Sequence, residues 1–195
     1  KALPWEEFIP TEGQFPVKGH SLNSALHSVP ACQSIVKKAI AARLGGKYHL
    51  NTLPETGALY QVQFSIMGDI ATLMLDTSGA GLHKRGYRAQ GVAAPLRETL
   101  AAGMVLLSRY RGRDPLCDPF CGSGTIPIEA ALIAKNRAPG LNRNFSAQKW
   151  SWLDKKLWMS AADEAMDKEF DGNYEIWGGD LDPEAVALAR HNAQL

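Results

Sequence analysis

The sequence predicts an α/β fold with a parallel sheet in its second part, preceded by a smaller α+β unit. After about residue 95, short apolar segments typical of strands alternate with helical segments. Such alternation is typical of parallel strands joined by right-handed crossovers. Before Asp76, one helical segment is followed by two adjacent strand segments, which indicates a separate unit. We therefore divide the chain into residues 1–76 and 77–195.

The first part is predicted to contain one helix and one strand hairpin. Ser28 is suited to cap a helix that the pair Gly45-Gly46 is expected to end. The apolar face of this helix is predicted to comprise Ile35, Val36, Ala39, Ile40 and Leu44. Apolar residues at alternate positions from Tyr60 to Ile66 predict a half-buried strand, and Ile70–Asp76 is predicted to return beside it.

The second part begins with Thr77–Arg88, a glycine-rich, basic segment that is typical of an exposed connection. A helix is predicted from about Pro95. Its expected apolar face comprises Leu96, Leu100, Gly103 and Leu107. The elements predicted after it are a strand at Leu116–Phe120, a helix at Thr125–Asn136, a strand at Tyr174–Trp177 and a helix at Glu184–Gln194. The sequence predicts no defined element for the segment that contains Trp150, Trp152 and Trp158.

Composition restricts the class of protein. A chain of 195 residues, 45% hydrophobic, can form one full domain core or two small ones. The net charge of +1 does not exclude nucleic acid, because a local basic patch is enough to contact phosphates. The cysteines are Cys32, Cys117 and Cys121; their odd number and the lack of a CxxC pair argue against disulfides and against a zinc site. We expect a cytoplasmic protein without a metal, and no apolar run approaches the roughly 20 residues of a membrane span.

A glycine turn follows the first predicted strand of the second part. Asp118 ends that strand, and Gly122-Ser123-Gly124 lets the backbone approach a ligand closely. The next helix offers unpaired N–H groups and the positive end of its dipole, which suit a carboxylate or a phosphate. The turn is not a P-loop, because no Gly-Lys-Ser/Thr follows it, and it does not have the GxGxxG form of a dinucleotide site.

A second acidic element closes the next predicted strand. Gly178-Gly179-Asp180-Leu181-Asp182 places Asp180 62 residues after Asp118. An acid at the end of the second strand of an alternating unit is positioned for ribose hydroxyls. The two elements together predict a nucleoside-containing cofactor, whereas the glycine turn alone is also compatible with an ordinary tight turn.

The run Asp118-Pro119-Phe120-Cys121-Gly122-Ser123-Gly124-Thr125 resembles motif I of the S-adenosylmethionine-dependent amino-methyltransferases. The longer run Asp118–Arg143 resembles the THUMP-domain RNA methyltransferases related to the bacterial 23S ribosomal-RNA guanine-N2 methyltransferase, whose members have often been labelled N6-adenine-specific DNA methylases. Further stretches that agree are Ser34–Ile40, Leu75–Gly79 and Leu82–Arg88. The resemblance implies a Rossmann-like class I methyltransferase domain, present in part over residues 77–195, and the C-terminal part of an RNA-binding THUMP domain over residues 1–76.

The resemblance also implies roles for individual residues. The cofactor S-adenosylmethionine would contact Asp118, Pro119, Phe120, Cys121, Gly122, Ser123, Gly124, Thr125, Asp180, Leu181 and Asp182. Asp118 would lie near its amino group, Asp180 would hold the ribose hydroxyls, and Leu181 and Asp182 would lie beside the adenine. Because Cys121 lies inside the cofactor turn, we do not expect it to act as a nucleophile.

The expected macromolecular partner is structured ribosomal RNA. The cations expected to contact it are Lys37, Lys38, Lys84, Arg85 and Arg88, with Arg43 and Lys47 as further candidates in the first part. Three cations beside two glycines in the connection would suit a clamp on the nucleic-acid backbone. For any single lysine of the first helix, a solvated helix face is an equally good interpretation.

The sequence lacks one element that base methylation requires. In the related enzymes an Asn/Asp-Pro-Pro-Tyr/Phe motif holds the target amine, and no such motif occurs in these 195 residues. We therefore expect a part of a longer enzyme, which would bind the methyl donor but not transfer the methyl group alone. The catalytic residues, the target nucleotide and the oligomeric state stay open. The alternatives are a DNA adenine-N6 methyltransferase and a non-catalytic RNA-binding module.

Overall fold

The computed structural model describes residues 1–88 and 95–195. The chain forms two compact units. The N-terminal unit comprises residues 1–80 and 145–155, and the C-terminal unit comprises residues 81–144 and 156–195. The sequence-based division at residue 76 did not anticipate that residues 145–155, here called the tryptophan segment, pack with the first unit.

The N-terminal unit contains a three-stranded mixed sheet and one long helix. The elements in chain order are β1 (Val17–Leu22), α1 (Val29–Tyr48), β2 (Val62–Met67) and β3 (Ile70–Leu75). The central strand β2 pairs in parallel with β1 and antiparallel with β3. The predicted hairpin is confirmed, and its turn residues Gly68 and Asp69 both have positive φ. The sequence did not predict β1.

Helix α1 continues through the glycine pair that was expected to end it. It ends at Tyr48, and His49 follows in the left-handed conformation, with the Leu50 N–H donating to the Gly45 carbonyl at 3.0 Å. This hydrogen bond closes the helix one turn later than predicted. The buried positions of α1 are Cys32, Ile40 and Leu44, while Ile35 of the predicted apolar face is 67% exposed.

The tryptophan segment completes the N-terminal unit. The Trp150 ring stacks on Tyr60 with 5.1 Å between centroids, and its indole N–H donates to the Leu59 carbonyl at 2.9 Å. The Trp152 indole N–H donates to the Phe8 carbonyl at 2.9 Å. Because Trp150 is almost fully buried, this segment contributes a large aromatic side chain to the core of the unit.

The C-terminal unit contains a two-stranded parallel sheet and helices. Its elements are α2 (Glu98–Leu107), β4 (Leu116–Asp118), α3 (Thr125–Ala134), α4 (Lys155–Asp167, with Lys155 in the other unit), β5 (Ile176–Gly178) and α5 (Pro183–Gln194). Strands β4 and β5 are parallel, with Asp118 opposite Gly178. The parallel pairing is confirmed, and α4 was not predicted.

The core of the C-terminal unit lies between α2, α3 and the two strands. Val105, Tyr110, Ala130 and Ala134 are buried there, with Leu116 and Ile176 packed against them. The predicted apolar face of α2 is wrong, because its buried residues are Glu98, Ala101 and Val105, while Leu100 and Leu107 are exposed. Among the described residues no helix combines the length and the apolar character that crossing a bilayer needs.

Candidate cofactor site

The loops that follow β4 and β5 meet at the carboxyl ends of the two strands. The Gly179 N–H donates to the Asp118 carbonyl at 2.9 Å, and the Cys121 N–H donates to the Gly179 carbonyl at 2.8 Å. These bonds extend the strand pairing into the loops. The structure thereby brings together the two elements that the sequence analysis selected, at the edge of a parallel sheet where ligands bind.

The Asp180 carboxylate joins the two loops. One carboxylate oxygen accepts from the Gly122 N–H at 2.9 Å, and the other accepts from the Asp182 N–H at 3.0 Å. The Asp182 and Gly122 amides hold the pKa of Asp180 below its ordinary value, so the side chain is a carboxylate at neutral pH. Each oxygen keeps lone-pair capacity for a further donor, such as a hydroxyl group.

The backbone between Cys121 and Ile126 forms a tight turn. Gly122 and Gly124 have φ of +52° and +84°, and the Gly124 N–H donates to the Cys121 carbonyl at 2.8 Å. Within residues 1–88 and 95–195, the amides of Ser123, Thr125 and Ile126 have no acceptor. For Ile126 the cause is local, because Gly124, the N-cap of α3, has no side chain that could accept from this amide.

Helix α5 supports this turn from behind. The Asn192 side-chain amide donates to the Ser123 carbonyl at 3.0 Å, and both residues are buried. A Cβ atom on Gly124 would lie 3.0 Å from the Ala189 Cβ, so helix and turn are in direct contact. The Asp182 carboxylate caps α5 by accepting from the Glu184 N–H at 2.9 Å.

Two apolar side chains are left exposed beside the carboxylates. Phe120 is 86% exposed and Leu181 is 99% exposed, and they belong to the loops after β4 and β5. The Asp118 carboxylate accepts from the Phe120 N–H at 3.1 Å. The arrangement therefore combines free backbone donors, carboxylate acceptors and apolar surface, which suits a ligand that has a carboxylate, hydroxyl groups and an aromatic part.

Comparison with known families decides what kind of domain this is. Residues 85–195 match the family described as "RMKL-like, methyltransferase domain", and residues 1–76 match the THUMP domain family. The chain belongs to the RMKL-like methyltransferase family. The family predicted from the sequence is thus confirmed.

Individual relatives agree with this assignment. "Putative RNA methyltransferase YpsC" of Bacillus subtilis (strain 168) is 49% identical over 198 residues, which cover 100% of this chain and 51% of that protein. The crystal structure of "a predicted N6-adenine-specific DNA methylase" from Listeria monocytogenes is 52% identical with a TM-score of 0.93, over 99% of this chain and 51% of that one. The structure of "SMU.472, a putative methyltransferase complexed with SAH" is 42% identical with a TM-score of 0.89, over 99% and 52%.

These likenesses confirm the predicted Rossmann-like methyltransferase fold. The chain spans about half the length of the relatives it matches.

Cys121 lies in the glycine turn, and its thiol is buried. Burial raises its pKa, and the charges of Asp118 and Asp180 raise it further. The thiol is therefore protonated at neutral pH, which agrees with the expectation that Cys121 is not a nucleophile. Among the described residues no group of three or more His, Cys, Asp or Glu side chains is arranged to hold a metal ion.

The basic connection of the methyltransferase domain is placed differently from the sequence-based expectation. The Arg85 guanidinium contacts Glu129 at 3.4 Å, the Arg88 guanidinium contacts Glu98 at 3.2 Å, and both arginine side chains are only 14% exposed. Arg88 also donates to the Thr125 hydroxyl at 2.5 Å. In this conformation the guanidinium groups of Arg85 and Arg88 form internal ion pairs, and only Lys84 of the three expected cations is exposed; contact of these cations with RNA stays a prediction.

The ion pairs involve acids that the sequence analysis did not select. Glu98 and Glu129 are buried on α2 and α3, and the Tyr87 hydroxyl donates to Glu129 at 3.1 Å. Burial raises the pKa of Glu129, while the Arg85 charge and the Tyr87 hydrogen bond oppose that rise. A basic loop before an acid-bearing helix is a signal that could have suggested this pairing.

The cations of the THUMP segment divide into paired and exposed side chains. Lys37 binds both oxygens of Glu55 at 2.8 Å and lies over the Phe15 ring, and Arg43 pairs with Glu6. Lys38 and Lys47 are exposed on α1. For Lys37 and Arg43 the internal pairing is a structural role that the sequence did not reveal.

Proposed function

We propose that this chain supplies the S-adenosylmethionine site and part of the RNA-binding module of an RNA methyltransferase. The observation that carries the proposal is the set of free amides at Ser123, Thr125 and Ile126 beside the carboxylates of Asp118 and Asp180. A free α-amino acid joined to a nucleoside has the groups that these donors and acceptors can bind.

Each part of the site has a chemical counterpart in that cofactor. The free amides would bind the methionine carboxylate, and Asp118 would accept from the methionine ammonium group. Asp180 would accept from the ribose hydroxyls with its remaining lone pairs. Leu181 and Phe120 would cover the adenine with apolar surface that is otherwise exposed. When bound, the cofactor supplies a methyl group on a positively charged sulfur, ready for attack by an amine.

The complex of SMU.472 with SAH supports this assignment of the cofactor. SAH is the product that remains after S-adenosylmethionine has lost its methyl group. A protein with 42% identity over nearly the whole of this chain has the same fold, so the same type of ligand is proposed here.

RNA is the proposed substrate because of the first 76 residues. They match the THUMP domain, an RNA-binding module, and the Bacillus subtilis relative is named as an RNA methyltransferase. The Listeria relative is named as a DNA methylase, so DNA adenine-N6 is the competing target. Within RNA we propose the exocyclic N2 of a guanine in large-subunit ribosomal RNA, on the motif resemblance alone.

The cofactor proposal is tested by calorimetry of the folded chain with S-adenosylmethionine and with SAH. We expect both to bind with one site per chain. Absence of binding to either ligand, in a sample whose circular dichroism indicates a folded protein, would favour a non-catalytic RNA-binding module.

The substrate proposal is tested by filter binding of structured ribosomal RNA against duplex DNA of the same length. We expect a preference for RNA that weakens as salt rises, because phosphate contacts release counterions. A clear preference for DNA would overturn the choice of substrate.

A methyl-transfer assay with labelled cofactor tests the division of labour. We predict that the 195 residues alone transfer no methyl group to ribosomal RNA, because they contain no Asn/Asp-Pro-Pro motif to hold the amine. The same assay with a full-length relative is the positive control. Robust turnover by the chain alone would contradict the prediction.

A further inference from the structure

One side chain reaches the glycine turn from a distant part of the methyltransferase domain. Asn192, in the last turn of α5, is 1% exposed and donates its Nδ2 hydrogen to the Ser123 carbonyl at 3.0 Å. The two residues are 69 positions apart in the chain. Among the described residues the Asn192 Oδ1 has no partner, so the hydrogen bond to Ser123 is the specific contact of this amide.

The Ser123 carbonyl occupies a critical position in the turn. Its peptide group lies between the free amide of Ser123 on one side and the free amide of Thr125 on the other. Because a peptide group is planar, fixing the Ser123 oxygen also fixes the Gly124 N–H, which donates to Cys121. The orientation of the neighbouring amides follows from the orientation of this one peptide.

Glycine makes this peptide easy to rotate. The peptide rotates about ψ of Ser123 and φ of Gly124; the φ of Gly124 is +84°, and glycine adopts positive and negative φ with similar ease. If the peptide rotated, the Ser123 oxygen would turn towards the Cys121 carbonyl, which now accepts from the Gly124 N–H, and the adjoining amides of Ser123 and Thr125 would lose their present orientation. The hydrogen bond from Asn192 to the Ser123 oxygen opposes this rotation from the other side of the peptide, as a lock on the turn.

We propose that Asn192 is this lock, a positioning residue that sets the affinity for the amino-acid end of the methyl donor without contacting the donor. The inference rests on the proposed function, since it concerns the amides that would bind the methionine carboxylate. It assigns Asn192 no part in binding the nucleoside end, which the loop of Asp180 would hold. The role is therefore separable from a general effect on stability.

The test compares two ligands on one variant. Asn192→Asp has the shape of the native side chain but presents an oxygen where Nδ2 donates. Gln194→Glu, on an exposed residue of the same helix, is the matched control for the added charge. The affinities for SAH and for 5′-methylthioadenosine, which has the nucleoside but no amino-acid group, are measured by calorimetry on the full chain.

We expect Asn192→Asp to weaken SAH binding roughly tenfold or more, the equivalent of one lost buried hydrogen bond, and to leave 5′-methylthioadenosine binding within about twofold. Gln194→Glu is expected to change neither. Equal loss of both ligands, or no loss of SAH binding, would overturn the proposal. If Asn192→Asp does not fold, Asn192→Ser, which also lacks the amide donor, provides the same comparison. If the unmodified chain binds neither ligand, the proposed function fails rather than the role of Asn192.

Discussion

At the scale of single residues, the carboxylate of Asp180 has a charge state that can be followed directly. The Asp182 and Gly122 amides hold its pKa below the ordinary value. The ionised form is therefore favoured in the folded state, and its contribution to stability is present above the ordinary pKa. That contribution is lost as the pH falls through the lowered folded pKa.

We predict that the backbone amide resonances of Gly122 and Asp182 titrate together, with a midpoint below that of a free aspartate. A pH titration by NMR measures the midpoint, and Asp180→Asn is the control that should abolish the transition. A midpoint at or above the value of free aspartate would show that the two amides do not stabilise the carboxylate.

The three cysteines are predicted to differ in reactivity. Cys117 is exposed, whereas Cys32 and Cys121 are buried, and burial also raises the pKa of the Cys121 thiol. Because the thiolate is the reactive form, iodoacetamide at neutral pH should label Cys117 first in the folded protein and all three in denaturant. Peptide mass spectrometry measures the order. Equal rates at Cys117 and Cys121 in the folded protein would contradict the burial of the turn.

At the scale of elements, the Arg88–Glu98 pair connects the end of the basic loop to α2 and, through Thr125, to α3. Arg88→Met would leave the buried Glu98 carboxylate without its partner. We predict a loss of about 3–5 kcal/mol in the free energy of unfolding, measured with urea. The exposed Lys84→Met is the matched control, with no loss expected. A double variant with Glu98→Gln should recover stability, and failure to recover would argue against the pair.

The glycine turn and α2 offer a matched pair of glycine substitutions. At Gly124, φ is +84° and an added Cβ would lie 3.0 Å from the Ala189 Cβ, so Gly124→Ala should destabilise by about 1–2 kcal/mol. At Gly103, within α2, a Cβ would meet nothing within 4 Å, so Gly103→Ala should stabilise by about 0.5–1 kcal/mol. Thermal unfolding measures both, and the same sign for both would contradict the geometry.

The cofactor turn could be predicted from sequence because its signals are local. Asp118 and Gly122–Gly124 are adjacent in the chain, and parallel strands place Asp180 at the same sheet edge. The pairing of Arg88 could not be predicted in this way, since the leucines of α2 suggested an apolar buried face while Glu98 occupies it. Strand β1 was missed because Lys18, Gly19 and His20 give it no apolar alternation.

At the scale of the whole molecule, the tryptophan segment makes the N-terminal unit discontinuous in sequence. Trp150 contacts Tyr60, about 90 residues earlier in the chain, and Trp152 contacts Phe8, 144 residues earlier. No local sequence pattern predicts contacts over such separations. Trp150 is nevertheless 3% exposed and stacked on Tyr60. The stability of this unit therefore depends on a part of the chain that lies outside residues 1–76, the residues that match the THUMP domain.

We predict that Trp150→Ala lowers the stability of the N-terminal unit by about 3–5 kcal/mol, the usual loss for a large buried aromatic side chain. Hydrogen exchange by mass spectrometry should show faster exchange in the peptides that contain β2. Trp177→Ala, at a 59% exposed tryptophan, is the control and should leave those peptides unchanged. Unchanged exchange in β2 of the Trp150 variant would mean that the segment is dispensable.

The same segment determines the order in which the chain can be assembled during translation. The ribosome synthesises residues 1–80 before 64 residues of the other unit, and residues 145–155 only after those. In the nascent N-terminal unit the Tyr60 ring therefore lacks its stacking partner Trp150 until after the glycine turn and α3 have been synthesised. A fusion protein that contains this unit must therefore include two separate coding segments. A fragment that ends at residue 80 lacks residues 145–155, and with them the Trp150 ring that packs on Tyr60.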